Sequence, residues 1–229
     1  MGTVTILPET TKNPITLIGE RAGVCWGADT SDPAKNYRRG LDCINSGHGR
    51  TLEFVNVEMV LDGYSARVIR EWYTHIGCLP TRLQASTRYI DYGDFDYVTP
   101  KSVIDKGEEA EWIYYEAMNA IKIAAAELAY RGIPREDVAM LLPLGMTTRI
   151  VDKRNLRNMI DMSRQRMCNR AYWEFRELFG DIMTALQNVS DEWRTVISMT
   201  MHAKCSDLGY CPEKHGCGWY PKKGERENG

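Results

Sequence analysis

The run Leu52–Leu61, LEFVNVEMVL, constrains this chain more than any other stretch. It is rich in β-branched and aromatic side chains and free of glycine and proline, so it reads as a strand. Its alternation is imperfect, which predicts that both faces are partly covered. Such a strand needs partners in a sheet and helices laid against it. Around it, strand-like segments come early and helix-period segments come late. That segregation predicts an α+β fold: a mixed or antiparallel sheet packed with long helices, the helices dominating the C-terminal half.

Residues 3–8 and 15–19 read as short strands separated by the turn-rich run 9–14. A helix is predicted over about 34–45, with Tyr37, Leu41 and Ile44 on one side and Gly47, His48 and Gly49 closing it. A second helix starts near Tyr64, and 97–100 reads as a strand ended by Pro100. From Gly107 the character changes. Glu108, Glu109 and Glu111 occupy a first turn, where the helix dipole favours acids. Ile113, Ala117, Ala120, Ile121, Ala124 and Leu128 then recur at helical spacing as far as Gly132. A short helix opens at Pro134, the run 141–145 interrupts it, and a long helical region covers roughly 153–179. Gly180 reads as a break before 181–186, and Ser190 as the N-cap of a last helix to about His202. Residues 1–200 are taken as one domain and 201–229 as a tail, with 222–228 disordered.

The totals exclude several classes. An apolar share of 43% and a charged share of 26% suit an ordinary soluble globular chain, and a net charge of −2 gives no basic field for nucleic acid. No apolar run approaches the ~20 residues that span a bilayer, and the N-terminus has no signal-peptide pattern. Seven cysteines in such a chain are expected as reduced thiols, with the cytoplasm as the expected setting.

Chemistry concentrates between Arg70 and Tyr89. The stretch opens as a helix with Val68, Ile69 and Trp72 on an apolar stripe and Arg67, Arg70, Glu71 and His75 beside it. Gly77 and Pro80 break that helix. The following run, TRLQASTRY, carries two arginines and no acid. If Ser86–Tyr89 is extended, Ser86 and Arg88 point the same way, and a hydroxyl beside a guanidinium fork suits a phosphate or carboxylate. The plainer reading is a solvated loop with a few cations.

Three segments together resemble the flavin-dependent thymidylate synthases. Gly47 and His48 followed by Glu53 match a His-x4-Glu that touches the flavin in that family. His75 and Ser86–Tyr89 match its Arg-His-Arg, loop, Ser-x-Arg-Tyr sequence, with Arg70–Tyr73 like the aromatic helix before it. Leu142–Leu144, Thr148 and Arg149, Asn155–Arg157, Arg166 and Ala171–Phe175 follow in the family's order. The resemblance covers roughly 15–190 and implies that family's fold, with FAD as cofactor and NADPH and methylenetetrahydrofolate as cosubstrates. It implies one-carbon transfer to C5 of deoxyuridine monophosphate with reduction to a methyl group. It further implies a homotetramer whose sites draw on several subunits. By the same resemblance Arg88 and Ser86 meet the nucleotide phosphate or sugar, with Gln84 and Glu71 beside them. Arg166 lies near the base and, with Ser86, serves the chemistry. His75, Glu53, Arg50, Arg82, Arg149 and Asn155 are the flavin candidates, with His48 a weak one.

The departures are as informative. The two family arginines flanking the histidine fall on Thr74 and Ile76, and the loop 77–85 is slightly longer. An Asn-Glu pair falls on Leu83 and Gln84, and a phosphate-gripping arginine lands on Ala139. Each charge-assisted bond lost to a phosphate costs roughly 1.5–3 kcal/mol, so Arg82 or Arg135 replaces those cations or the ligand differs.

Plainer readings stand beside these. Glu53 is a candidate for pairing with a neighbouring cation, and Arg157 and Arg166, amid Arg154, Arg164 and Arg170, for a wet helix face. Trp173 reads as core. Cys78 has no base near it in sequence except His75, which argues against a cysteine nucleophile. In the tail, Cys205, Cys211, His215 and Cys217 have zinc-ligand chemistry at an atypical spacing, against a simple ordered or floppy tail. Two competing functions remain: a flavin enzyme acting on another pyrimidine or giving another C5 product such as hydroxymethyl, and a non-catalytic nucleotide-binding module.

Overall fold

The computed structural model describes residues 2–225. Its elements are β1 (Thr3–Ile6), α1 (Pro14–Cys25), α2 (Pro33–Asn45), α3 (Gly49–Leu52), β2 (Asn56–Ser65), α4 (Ala66–Trp72), β3 (Thr81–Gln84) and α5 (Lys101–Ile104). They continue as α6 (Glu108–Tyr130), α7 (Arg135–Val138), β4 (Thr147–Asn155), α8 (Leu156–Arg166), α9 (Trp173–Gln187), α10 (Asp191–Thr200) and α11 (Lys204–Leu208). The strands form one antiparallel sheet in the order β1-β2-β4-β3, so the α+β class holds.

Several boundaries differ from expectation, each for a physical reason. Residues 15–19 are helical. Pro14 occupies the start of α1, where its missing N–H costs nothing, and Ile15, Ile18, Gly19, Ala22 and Gly23 form its buried face. A five-residue apolar run does not reveal its period until the flanks are counted. The packing decides it: a Cβ on Gly19 would sit 1.8 Å from the Asn36 carbonyl oxygen, and one on Gly40 would sit 2.0 Å from that of Ile15. Only glycine permits this approach of α1 to α2. Accordingly α2 buries Asn36, Gly40 and Cys43, leaving Tyr37, Leu41 and Ile44 half-buried at its flank.

The long strand starts at Asn56, because Leu52 closes α3, and it alternates more cleanly than expected, with Val57, Met59 and Leu61 fully buried. The single helix expected over 153–179 is instead the end of β4, α8, a break and the start of α9. Along β4 the buried positions are Thr148, Ile150, Asp152 and Arg154, a period of two hidden by charges that neutralise one another. Gly180 does not interrupt α9, since a glycine inside a helix costs only about 1 kcal/mol. Tyr97 makes one isolated bridge, to Met146, and no strand. Ser190 does cap α10, its Oγ accepting from the Trp193 N–H. Lys222 bridges Cys211, whereas 226–228 of the run expected to be disordered lie outside the described residues.

The chain divides into two compact units. One comprises Met1–Thr3, Leu61–Thr74 and Arg82–Val151. Its core gathers Phe95, Met118 and Met146 beneath Tyr92, Tyr97, Tyr114 and Ile121. The other comprises Val4–Val60, His75–Thr81 and Asp152–Gly229. There Ile15, Ile18, Phe175, Phe179, Ile182 and Trp193 are fully buried, and the Trp193 indole N–H donates to the Thr11 carbonyl at 2.7 Å. Among the described residues no helix is long and apolar enough to cross a membrane.

Candidate active site

In the second unit, α4 has already ended when His75 is reached, so the imidazole stands on a loop. Arg166, in the last turn of α8, donates from Nε to His75 Nε2 at 2.9 Å. Both pack on Phe175 of α9: the guanidinium lies 4.7 Å above its ring and the imidazole meets its edge, centroids 5.8 Å apart. Burial, then the cations Arg166 and Arg154, lower the His75 pKa to about 4. The ring is therefore neutral at physiological pH. With Nε2 accepting from Arg166, its proton sits on Nδ1.

Nearby in the same unit, Glu53 at the end of α3 takes Arg157 Nη1 at 2.6 Å, with Arg50 at 3.8 Å. The expectation that Glu53 pairs with a cation is met, and one partner, Arg157, is the other arginine read as a wet helix face. Arg50 keeps its side chain 86% exposed. Asn155 caps α8, its Oδ1 accepting from the Asn158 N–H at 3.0 Å. Arg154 does not belong to a wet face at all: it is fully buried against Asp152.

In the first unit, the run 86–89 is a turn rather than an extended segment. Ser86 accepts at its carbonyl from the Tyr89 and Ile90 N–H groups and at Oγ from the Arg88 N–H, 3.3 Å. The premise that Ser86 and Arg88 point the same way as alternate strand residues therefore fails. A short side-chain oxygen competing for nearby N–H groups favours a turn there. Arg88 donates from Nε to Glu136 at 2.9 Å, both side chains largely exposed. Arg135 donates to the Tyr89 carbonyl at 3.0 Å. Together with Thr87, Tyr92, Ala126 and Ala139 it lines a cavity of about 250 Å³. Arg82 stacks on Tyr73 at 4.3 Å and donates to the Tyr73 carbonyl at 3.1 Å. Gln84 donates to Thr148 Oγ1 at 3.3 Å, Arg149 faces Asp62 at 3.5 Å, and Glu71 faces Arg67 at 3.6 Å.

A search of family models finds the one described as "Thymidylate synthase complementing protein" matching residues 6–190. The flavin-dependent thymidylate synthase of Nitratidesulfovibrio vulgaris is 30% identical over 188 residues, covering 78% of this chain and 74% of that protein. The chain belongs to the flavin-dependent thymidylate synthase family. The enzyme of the same name from Thermococcus kodakarensis is 31% identical over 74% of this chain and 70% of its own length. Two solved structures share the fold at low identity. A UMP/dUMP methylase, PolB, from Streptomyces cacaoi with 5-Br dUMP superposes with a TM-score of 0.71 at 15% identity, over 88% of this chain and 96% of that one. Thymidylate synthase X of Helicobacter pylori with FAD and dUMP gives 0.63 at 16%, over 84% and 99%.

The family match stops at 190, before α10, α11 and the tail. There, among the described residues, no three histidine, cysteine or acidic side chains are grouped to hold a metal. The His215 carbonyl instead accepts from Arg170 at 2.6 Å, and Cys217 Sγ accepts from Asn169 Nδ2 at 3.8 Å. Cys205, Cys211 and Cys217 line, with Cys168, a cavity of about 850 Å³. Burial and those neighbouring thiols push the Cys205 thiol up, so it stays protonated.

Proposed function

We propose that this chain methylates deoxyuridine monophosphate, drawing a one-carbon unit from methylenetetrahydrofolate and reducing it to the methyl group of thymidylate. The observation that carries this reading is a neutral imidazole held against an arginine, among further guanidinium groups, in a chain of this family. An isoalloxazine with its carbonyl edge, and a diphosphate behind it, ask for N–H donors and cations. Arg50, Arg157 and Arg166, with the Nδ1–H of His75, form a donor set of that chemistry, so these residues fit FAD. When bound, FAD supplies the hydride chemistry, with NADPH as the source of reducing equivalents. On this reading His75 and Arg50 hold the flavin, Glu53 fixes Arg157 and Arg50, and Asn155 shapes the start of α8. Arg82 and Arg149 are carried as flavin contacts on the family resemblance.

Arg166 offers a fixed positive charge where the uracil would gather negative charge as it enolises under hydride attack, and neutral His75 adds no competing proton there. Arg88 and Ser86 take the nucleotide phosphate, with Gln84 and Glu71 toward the sugar. Arg135 supplies the cation that the family places at Ala139: both line the same cavity, one helical turn apart. Residues 1–200 act as one catalytic module and 201–229 as its appendage. The working form is a homotetramer. Trp112, Tyr115, Ile123 and Tyr130 lie exposed at helical spacing along α6, an apolar stripe that suits a face between copies.

The test is direct. Purified chain, deoxyuridine monophosphate, methylenetetrahydrofolate, FAD and NADPH are incubated and the product is weighed by mass spectrometry. A mass gain of one methyl group is expected. No methylated product in a flavin-loaded protein overturns the reading.

A further inference from the structure

Behind His75 runs a chain of buried polar contacts that the reaction does not itself require. Asp152 and Arg154 are alternate residues on the inner face of β4, and both side chains have no exposed surface. Arg154 grips the carboxylate with two hydrogen bonds, Nε to Oδ1 and Nη2 to Oδ2, each 2.6 Å. Its remaining nitrogen, Nη1, donates to Asn158 Oδ1 at 2.6 Å and approaches Met162 Sδ at 2.6 Å. A guanidinium has no acceptor, so this contact settles which end of the Asn158 amide faces Arg154. The Nδ2 end faces the other way, and there it donates to the Gly77 carbonyl at 2.7 Å.

Gly77 stands two residues after His75, at the tightest part of the loop. The next two residues, Cys78 and Leu79, have φ of 58° and 52°, in the left-handed region that side chains with a Cβ avoid. Two such residues in succession persist only where neighbours over-determine the backbone. The Cys78 and Leu79 side chains are exposed, so packing on them does not hold the shape. Asn158, 3% exposed on α8, reaches this loop with its side-chain amide from a rigid element.

We propose that Asn158 is a positioning residue: oriented by the buried Asp152–Arg154 pair, its amide clamps the Gly77 carbonyl and holds the 75–80 loop in the form that sets His75 against Arg166 and Phe175. The consequence for flavin binding rests on the function proposed above; the clamp itself does not. Among the described residues the groups recorded facing His75 are the Arg166 and Arg154 guanidiniums and the Phe175 ring. Releasing the loop moves the imidazole out of that cationic, part-buried setting.

Two variants of the full chain test it: Asn158→Asp, which keeps an acceptor for Arg154 but loses the donor to Gly77, and Asn158→Ala. The chain has four histidines, so the His75 ring is assigned by NMR through His75→Gln and titrated without flavin. FAD affinity is then measured by fluorescence, with circular dichroism confirming the fold. Wild-type His75 is expected to titrate near 4 and each folded variant about one unit or more nearer 6.5, with FAD bound about fivefold more weakly. Because a carboxylate at 158 would raise the His75 pKa by its charge alone, the titration is read from Asn158→Ala, or from the equally neutral Asn158→Ser if Asn158→Ala does not fold. An unmoved His75 titration overturns the clamp. A moved titration with unchanged FAD affinity upholds the clamp and removes His75 from the flavin site.

Discussion

The two clusters of arginines in this chain are held in opposite ways. In the second unit Arg154 is buried and sealed onto Asp152 and Asn158, and the half-buried Arg166 is fixed to a neutral histidine and an aromatic ring. Arg88, in the first unit, is largely exposed and pairs directly with Glu136 at the surface. A buried charge cannot exchange its partner without large loss, so the first arrangement fixes geometry before any ligand arrives. An exposed pair is weak and exchangeable, so the second leaves Arg88 able to change partners, which is what the proposed function asks of a phosphate-binding arginine.

The comparison breaks most visibly at Asp152. Asp152→Ala takes the two-pronged carboxylate from the buried Arg154 guanidinium, and about 3–5 kcal/mol of stability should disappear from urea unfolding curves. A loss no greater than that of an exposed pair would show that Arg154 reaches water. Arg88→Ala should do the reverse: nucleotide affinity by calorimetry falls at least tenfold, because one charge-assisted bond is lost, while the unfolding midpoint stays put. An unchanged affinity would move the phosphate site elsewhere.

Acid titration sharpens the contrast. Between the ordinary histidine value of 6.5 and about 4, the unfolded chain takes up a proton that folded His75 refuses. Stability should therefore fall as pH falls through that window and owe nothing to His75 above it. Urea midpoints at stepped pH, against His75→Gln, read this directly; a difference between the two curves that does not change across the window contradicts the neutral imidazole. The smallest effect is expected at Glu136→Gln, which frees Arg88. Nucleotide affinity should tighten about twofold, with stability altered by less than about 0.5 kcal/mol.

Much of the chemistry could be read from residue order. His75, Arg166, Glu53 and Arg88 stand out as candidates because the family spaces such residues along the chain, and α2, α6, α7 and α10 were legible because caps, acids in first turns and apolar period agree. What escaped was the buried polar set. Asp152, Arg154 and Asn158 look like the solvated charges of a helix, and their true period of two shows only if Thr148, Ile150, Asp152 and Arg154 are counted as one face. Alternation in TTRIVDKRN was the available signal, masked because hydrophobicity was taken as the mark of an inward position.

The sequence by itself determined the α+β class, the family and the long helix α6, since each depends on local period or on fixed spacing. The tertiary structure alone decided that residues 15–19 are helical, that 86–89 is a turn, that His75 is neutral, and that an aspartate, an arginine and an asparagine belong inside. The physical reason is that burial and pairing are properties of neighbours brought from far along the chain: a charge is affordable in the interior only beside its partner, and no local pattern states which partner it will meet.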